Sequence, residues 1–349
     1  MKRIGMLLIA IVSIAIAYAA DSATVEVPAI VNLEVQARLD YQRQYVDREL
    51  VGSNTGFKGK YVNILLSGNI TDKFSYSYRQ RLIKPQHDAS FWDATDWLWL
   101  NYNINSHWSV NAGKQVVMIG GFEYDRAPID MMISSEFWNN IPCYQMGVYL
   151  GYTPNEGKDF LLAQFCQSPF RYVASDMYSY NFMWSGTRGF YKSIWSFNVV
   201  ECSPGKYITY LSLGNQFTAG PVTFQLDYMN RASKNHSYFF KDFSVMGEIS
   251  YMPSIHFNIF AKATYDVNNS GTPDDLLVVD GTELTTVGGG LEYFPLKKKS
   301  VRVHAAYSYT FGNQANPDGV MFGKQQFMDI GLTWKIDLLH LRLKKPLKF

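Results

Sequence analysis

Apolar and polar residues alternate along most of the chain, and this two-residue period predicts β-strands. Clear runs cover residues 31–42, 222–229, 255–266 and 327–336. Because successive side chains of a strand point to opposite faces, each run has one apolar face and one polar face. We find no convincing helical period after the first 19 residues. The pattern predicts an all-β protein with about sixteen strands, a number typical of outer-membrane barrels.

The connections between the predicted strands alternate in length. Those between even and odd strands are tight, as at residues 69–73 and 252–254, whereas several of the others are long, as at residues 83–94 and 267–283. Short turns at one end and long loops at the other are typical of a transmembrane antiparallel β-barrel, with both termini on the periplasmic side. A soluble β-sandwich is the alternative, but so many strands are unusual in an open sheet.

The first residues have the composition of a secretory signal peptide. Lys2 and Arg3 precede an apolar run that ends in a small-x-small site at residues 17–19. The alternative, a membrane anchor, would need an apolar run of about 20 residues, and this run is shorter. We therefore predict a cleaved signal peptide at residues 1–19 and one barrel domain at residues 20–349, in the outer membrane of a Gram-negative cell.

Composition suits a membrane protein, as it would also suit an aromatic-rich secreted carbohydrate-binding protein, and it argues against a nucleic-acid partner. The chain has 24 Tyr, 23 Phe and 8 Trp, and aromatic residues of this kind are common at membrane–water boundaries. Removing Lys2 and Arg3 from the 32 basic residues leaves a number equal to the 30 acidic ones. A formally neutral mature chain has no general attraction for nucleic acid. Outer-membrane lipids are the expected surroundings.

Three cysteines are too few for a disulfide framework. The turn near Asn155 would bring Cys143 and Cys166 to the same rim of two paired strands. Free thiols and a single diagonal disulfide are both compatible with this arrangement.

In a membrane barrel the polar face of each strand lines the lumen, because a basic side chain facing lipid costs about 2–4 kcal/mol. About sixteen strands enclose an aqueous channel, unless the charges pair across a filled lumen.

Strict alternation would turn Lys114 towards lipid, and we expect a kink at Gly113 to turn it inward; burial in a subunit interface is the alternative. Glu248, Glu292 and His304 are assigned to the interior. The basic residues expected to line the pore are Arg38, Arg79, Arg81, Lys114, Lys262 and Arg302.

The longest connection, residues 116–142, joins the fifth and sixth predicted strands. It is rich in Ile, Met, Phe and Trp, so we expect it to pack against something, and the lumen is nearest. The stretch GKQVVMIGGFEYDRAPID at its start resembles the phosphate-selective porin O and P family. This resemblance implies a sixteen-stranded outer-membrane porin, commonly a homotrimer, whose third extracellular loop folds inward and narrows the pore.

By the same resemblance, the constriction would be formed by charged residues of this loop. Arg126 would face the passing solute, with Arg79 and Arg81 nearby. Rings of charged side chains set the selectivity of a channel. The loop has four carboxylates and one arginine, unlike the basic path expected for phosphate, so we predict a general or weakly selective pore for small hydrophilic solutes or anions. The constriction residues are Glu123, Asp125, Arg126, Asp130 and Glu136.

No enzyme chemistry is predicted. The Gly113-Lys114 pair lacks the glycine spacing, the Ser or Thr and the helix of a phosphate-binding loop. We find no HExxH or GxSxG motif and no metal-ligand spacing of histidines. The sequence therefore predicts no catalytic residue, cofactor or metal, although a hydrolase hidden in a barrel would leave no sequence signal.

Two other functions remain open. Trp97 and Trp99 alternate with apolar neighbours and should point into the lumen, where stacked rings suit sugars; an interfacial aromatic girdle is the simpler explanation. A non-conducting structural barrel, plugged by its third loop, is the second alternative. The closing strand is predicted at residues 327–338, followed by a periplasmic tail that ends in Phe349.

Overall fold

The computed structural model describes residues 30–83, 90–154, 157–233, 240–313 and 324–342. The signal peptide predicted at residues 1–19 and the terminal Phe349 lie outside these ranges. The described chain forms a 17-stranded sheet. Its strands are β1 (Ile30–Val46), β2 (Glu49–Leu50), β3 (Gly56–Asn69), β4 (Phe74–Arg81), β5 (Thr95–Asn103), β6 (Trp108–Val116), β7 (Tyr144–Tyr152), β8 (Asp159–Gln167), β9 (Tyr178–Arg188), β10 (Tyr191–Ser203), β11 (Lys206–Ala219), β12 (Val222–Ser233), β13 (Phe243–Ser254), β14 (Phe257–Asn268), β15 (Thr282–Tyr293), β16 (Val301–Asn313) and β17 (Lys324–Arg342).

The sheet closes on itself. Neighbouring strands pair antiparallel, β17 pairs with β1 over almost its full length, and β1 also pairs with β3. The two-residue strand β2 pairs with the end of β1 and lies in the first long connection. Sixteen strands therefore form the wall, as predicted. Closure leaves no unpaired sheet edge, which is the condition for a sheet to cross lipid.

The two faces of the wall follow the predicted alternation. On β14, Phe257 and Ile259 point outward and are 49% and 46% exposed, whereas Lys262 on the opposite face is 3% exposed. Large apolar side chains are exposed in this way around the barrel, and most buried polar residues of the strands point inward. The apolar outer face suits lipid, and the polar inner face suits water or loops that fill the lumen.

The closing strand is longer than predicted. β17 runs to Arg342 because β1 pairs with it down to Ile30, which supplies hydrogen bonds to residues beyond 338. Leu339 and Leu341 are exposed apolar residues on this extension. Helical structure is limited to short segments, and none of the described helices is long and apolar enough to cross a membrane.

Candidate functional site

The connection between β6 and β7, residues 117–143, is called loop 3 below. It contains two short α-helices, Phe122–Asp125 and Glu136–Asn140, and a 3-10 helix, Pro128–Asp130. Its hydrogen bonds and ion pairs reach inward-facing side chains of β1, β8, β10, β12, β13, β14, β16 and β17. The loop thus crosses the interior of the barrel. We call the wall formed by β8–β12 the packed side, and the wall formed by β13–β17 and β1 the charged side.

Two adjacent glycines bring the start of loop 3 directly against the packed side. The Gly120 amide donates a hydrogen bond to the Ser196 hydroxyl at 2.7 Å. A Cβ atom on Gly120 would lie only 2.7 Å from the carbonyl oxygen of Ile194, and Gly121 has a φ of +105°. A larger residue would push the loop away from β10. These glycines therefore act in close backbone packing, and not in phosphate binding.

An apolar cluster fills the packed side at the long-loop end. Phe137 of loop 3 packs edge-to-face on Tyr210 of β11, with ring centroids 5.4 Å apart. The connection at residues 269–281 contributes Leu277 and Val278, which are buried. Burial of these side chains holds both ends of loop 3 and this second loop in the lumen. The buried members of the cluster are Val117, Ile119, Phe137, Ile141, Cys166, Phe170, Met177, Val200, Cys202, Ile208, Tyr210, Met229, Leu277 and Val278.

On the charged side, loop 3 is attached by ion pairs. Glu123 lies 2.8 Å from the ammonium of Lys262. Asp130 lies 3.0 Å from Arg302 and 2.8 Å from Lys335. The predicted constriction residues of loop 3 thus meet basic residues of the wall, two of which, Lys262 and Arg302, were predicted to line the pore.

Arg126 forms a bidentate ion pair with Glu248 of the wall. Its guanidinium donates to both carboxylate oxygens of Glu248, at 2.8 and 2.7 Å, and to the side chain of Gln225 at 2.9 Å. Asp125 is exposed. Glu136 accepts a hydrogen bond from Asn140 at 2.9 Å, and its backbone amide donates to Asp266. Three predicted constriction residues, Glu123, Arg126 and Asp130, are therefore paired with side chains of the wall. Asp125 is exposed instead, and the Glu136 side chain accepts its hydrogen bond from within the loop.

Arg38 links the wall to the middle of loop 3. Its guanidinium lies 2.8 Å from Asp40 and also pairs with Asp329. The same group donates to the carbonyl oxygens of Ile129 and Met131 in the loop. Arg302 donates to the Ile129 carbonyl as well, at 3.0 Å. Two predicted pore-lining arginines thus hold the loop backbone.

Arg79 and Arg81 share one carboxylate, that of Asp96, which no sequence pattern indicated. Both lie 2.7 Å from Asp96 at the start of β5. The Arg79 guanidinium also covers the ring of Trp97 at 4.3 Å from its centroid. Trp97 points inward, as its alternation predicted, but its ring is covered and offers little area for stacking a sugar.

Lys114 follows a backbone irregularity at the predicted place. Gly113 has a φ of +133°, and a Cβ there would lie 2.2 Å from the Leu98 carbonyl oxygen. Lys114 is 4% exposed, and its ammonium donates to the Trp92 carbonyl at 2.7 Å, beside the Trp92 ring. The connection between β4 and β5 therefore covers this charge.

The three cysteines are free, so the diagonal disulfide considered for Cys143 and Cys166 is wrong. Cys166 instead pairs in register with Gly147 and belongs to the apolar cluster of the packed side.

Met132 and Ile133 separate two cavities on the charged side. The long-loop cavity, about 540 Å³, and the short-turn cavity, about 380 Å³, are both lined by these two residues. Ile133 packs on Phe260 of β14 and Ala306 of β16. It fits there because Gly288 carries no side chain, and a Cβ on Gly288 would lie 2.7 Å from Ile133. The sequence indicated an apolar loop but not which residues form this partition.

The short-turn cavity carries an excess of basic groups. Three acidic residues, Asp130, Glu248 and Glu292, line it. Five basic residues line the same cavity: Arg126, Lys262, Lys299, Arg302 and Lys335. The long-loop cavity is balanced, with Arg38 and Lys60 against Glu136 and Asp329. Ions passing between the two cavities would therefore meet paired charges and a modest positive potential at the short-turn end.

Comparison with known proteins shows which family the first half of the chain is similar to. The sequence model of the phosphate-selective porin O and P family matches residues 31–189. This match confirms the resemblance carried by the stretch at the start of loop 3. No curated protein matches the chain.

Solved structures share the fold at low sequence identity. The anion-selective porin from Comamonas acidovorans has a TM-score of 0.63 at 9% identity, covering 88% of this chain and 100% of that one. The outer membrane channel DcaP of Acinetobacter baumannii has a TM-score of 0.63 at 12% identity, with coverages of 90% and 100%. A loop-deletion mutant of the Vibrio cholerae outer membrane protein OmpT has a TM-score of 0.61 at 14% identity, with coverages of 88% and 100%. The family match and the barrel confirm the prediction of an outer-membrane porin channel.

Proposed function

We propose that this porin is a weakly selective diffusion channel for small hydrophilic solutes and ions. The observation that carries the proposal is the pairing of charges across loop 3. Glu123 pairs with Lys262, Arg126 with Glu248, and Asp130 with Arg302. Because these three charges of the loop are offset by the wall, the constriction presents little net charge to a passing ion.

A mild preference for anions, phosphate included, fits the basic residues of the short-turn cavity. These residues outnumber the carboxylates around them, so the local potential there is positive. Screening by salt limits this effect, since ions in a hydrated lumen attenuate it over a Debye length of about 8 Å at physiological ionic strength.

Export and assembly of the chain follow the pattern of outer-membrane proteins in this proposal. We propose that residues 1–19 are a cleaved signal peptide, that residues 20–349 form the porin domain, and that the mature chain assembles as a homotrimer in outer-membrane lipid. One similar structure, OmpT of Vibrio cholerae, is described as a trimer form; its TM-score is 0.57 at 14% identity. The exposed apolar outer face suits either lipid or a neighbouring copy. We propose no enzymatic activity and no cofactor.

Planar-bilayer recording of the purified protein tests this function. Under a KCl gradient we expect steady conductance and a small reversal potential on the anion-selective side. A large reversal potential of either sign would contradict weak selectivity, and absence of conductance would favour a structural barrel. Block of the ion current by added maltose oligosaccharides would favour saccharide uptake instead.

A further inference from the structure

A compact group of side chains lies where the barrel closes. His304 of β16, Gly331 of β17 and Asp40 of β1 are direct neighbours across the three strands. Asp329, two residues before Gly331 on the same face of β17, completes the group. The His304 ring and both carboxylates are 2% exposed or less. One ligand atom from each of the three residues lies within 4.8 Å of the other two.

The geometry points to a binding site for one divalent transition-metal ion, such as Zn²⁺, held by Asp40, His304 and Asp329. The His304 Nε2 atom lies 3.4 Å from the Asp40 Oδ1 atom and 3.8 Å from the Asp329 Oδ1 atom. Tetrahedral zinc with bonds of about 2.0–2.2 Å requires ligand atoms roughly 3.3–3.6 Å apart. Small shifts of the side chains would meet this requirement.

Hydrogen bonding leaves His304 and the Asp329 Oδ1 atom available as ligands. Neither ring nitrogen of His304 makes a hydrogen bond, and neither does the Asp329 Oδ1 atom. The Arg38 guanidinium donates to both oxygens of Asp40, at 3.0 Å to Oδ1 and 2.8 Å to Oδ2, and to the Asp329 Oδ2 atom, an orienting role common behind metal ligands. An imidazole among the ligands favours zinc or a similar ion over the oxygen-seeking Mg²⁺ and Ca²⁺.

Charge and space also favour a cation. Two buried carboxylates face one guanidinium here, so the group requires one further positive charge, which a metal ion or a proton on His304 would supply. Gly331 provides room, since a Cβ there would lie 2.1 Å from the Asp40 Oδ1 atom and 2.7 Å from the His304 ring. The long-loop cavity reaches Arg38 and Asp329 and gives an ion access from solution.

Calorimetric titration of the folded, chelator-treated protein in detergent with ZnCl₂ tests the site. We expect one ion per chain, no comparable heat with MgCl₂, and at least a tenfold loss of affinity in His304→Gln. His107→Gln, which changes an exposed histidine in a short turn, is the matched control and should bind as the unchanged protein does. Equal binding by the His304→Gln variant would show adventitious surface binding and overturn the proposal.

A second measurement does not depend on the folding of a variant. Co²⁺ added to the unchanged protein should give visible absorption bands of a site with nitrogen and oxygen ligands, and Zn²⁺ should abolish them. Absence of both Co²⁺ bands and Zn²⁺ binding would mean that a proton on His304 supplies the missing positive charge, and would overturn the metal site.

Discussion

The two sides of the lumen hold loop 3 by different physical means. On the packed side, buried apolar residues such as Phe137 and Tyr210 fill the interior at the long-loop end. On the charged side, the loop is attached by Arg38, Lys262 and Arg302, and two cavities remain beside it. One loop is thus part of a protein core along one wall and part of a hydrated channel along the other.

The difference shows how a porin can narrow its lumen without closing it. Apolar contacts are non-directional and exclude water, so they close the space that they occupy. Ion pairs and hydrogen bonds fix the loop at defined points while polar groups between these points stay hydrated. We therefore expect changes on the packed side to act mainly on stability, and changes at the cavities to act mainly on conduction.

Substituting Arg38→Ala should have the largest effect. It would leave Asp40 and Asp329 buried without their guanidinium partner and remove two donors to the loop. Breaking a buried pair in this way costs about 3–5 kcal/mol. Urea unfolding of the barrel in lipid vesicles would measure the loss. Lys58→Ala is the control, because Lys58 is exposed and donates a hydrogen bond to the nearby Ser53 carbonyl; its variant should stay within about 0.5 kcal/mol of the parent. Similar losses of unfolding free energy in both variants would show that the ion pairs of Arg38 do not contribute specially to stability.

The neighbouring residues Phe137 and Trp138 provide a direct test of the two sides. Phe137 is 3% exposed in the apolar cluster, whereas Trp138 lines the long-loop cavity. Phe137→Ala should lower the free energy of unfolding by about 3 kcal/mol. Trp138→Ala should cost less stability but raise single-channel conductance, because it enlarges the cavity. The division of the lumen would be refuted if both variants lost stability equally and conducted alike.

Enlarging Gly288 should disturb the partition between the cavities. In Gly288→Ala the new Cβ would press on the Tyr307 carbonyl oxygen at 2.4 Å and on Ile133 at 2.7 Å. Overpacking of this kind costs about 1–3 kcal/mol, and a displaced Ile133 should change the conductance. Gly247→Ala is the matched control, since nothing lies within 4 Å of its added Cβ. An unchanged conductance in Gly288→Ala would mean that Ile133 does not limit the passage.

Asp130→Asn should have the smallest effect on stability and a clear effect on selectivity. Asp130 is partly exposed, so loss of its pairs with Arg302 and Lys335 should cost about 0–1 kcal/mol. Lys335 would lose its carboxylate partner, and Arg302 would keep only Glu292, so the reversal potential should shift towards anions. Asp125→Asn removes a carboxylate from the exposed part of the same loop and should shift it less. Equal shifts would show that total loop charge, and not pairing with the wall, sets selectivity.

Much of the fold could be predicted because alternation leaves a strong local signal. The exposed Phe257 and Ile259 and the buried Lys262 occupy the faces expected from their spacing. The inward direction of Trp97 and the kink at Gly113 also follow from the order of residues along one strand. The end of β17 was missed, since its last residues are held by pairing with β1 rather than by their own pattern.

The partners within the site could not be predicted in the same way. Asp96 joins Arg79 and Arg81 across two strands, and His304 joins Asp40 and Asp329 across the closing seam. Such contacts depend on strand register and on the path of loop 3. The turn near Asn155 left free thiols and a disulfide both open for the same reason, and in the structure the thiols are free and register places Cys166 beside Gly147.

The sequence alone predicted an outer-membrane barrel of about sixteen strands, its lipid-facing and inward faces, and a long apolar loop that resembles a porin family. These properties depend on the period of side chains along a strand and on residue types within a short stretch. The wall on which the loop packs, the pairing of the charges and the separation of the cavities by Met132 and Ile133 depend on the folded arrangement of the barrel. The reason is physical: closure brings together residues far apart in the chain, and their mutual distances set both charge and space in the lumen.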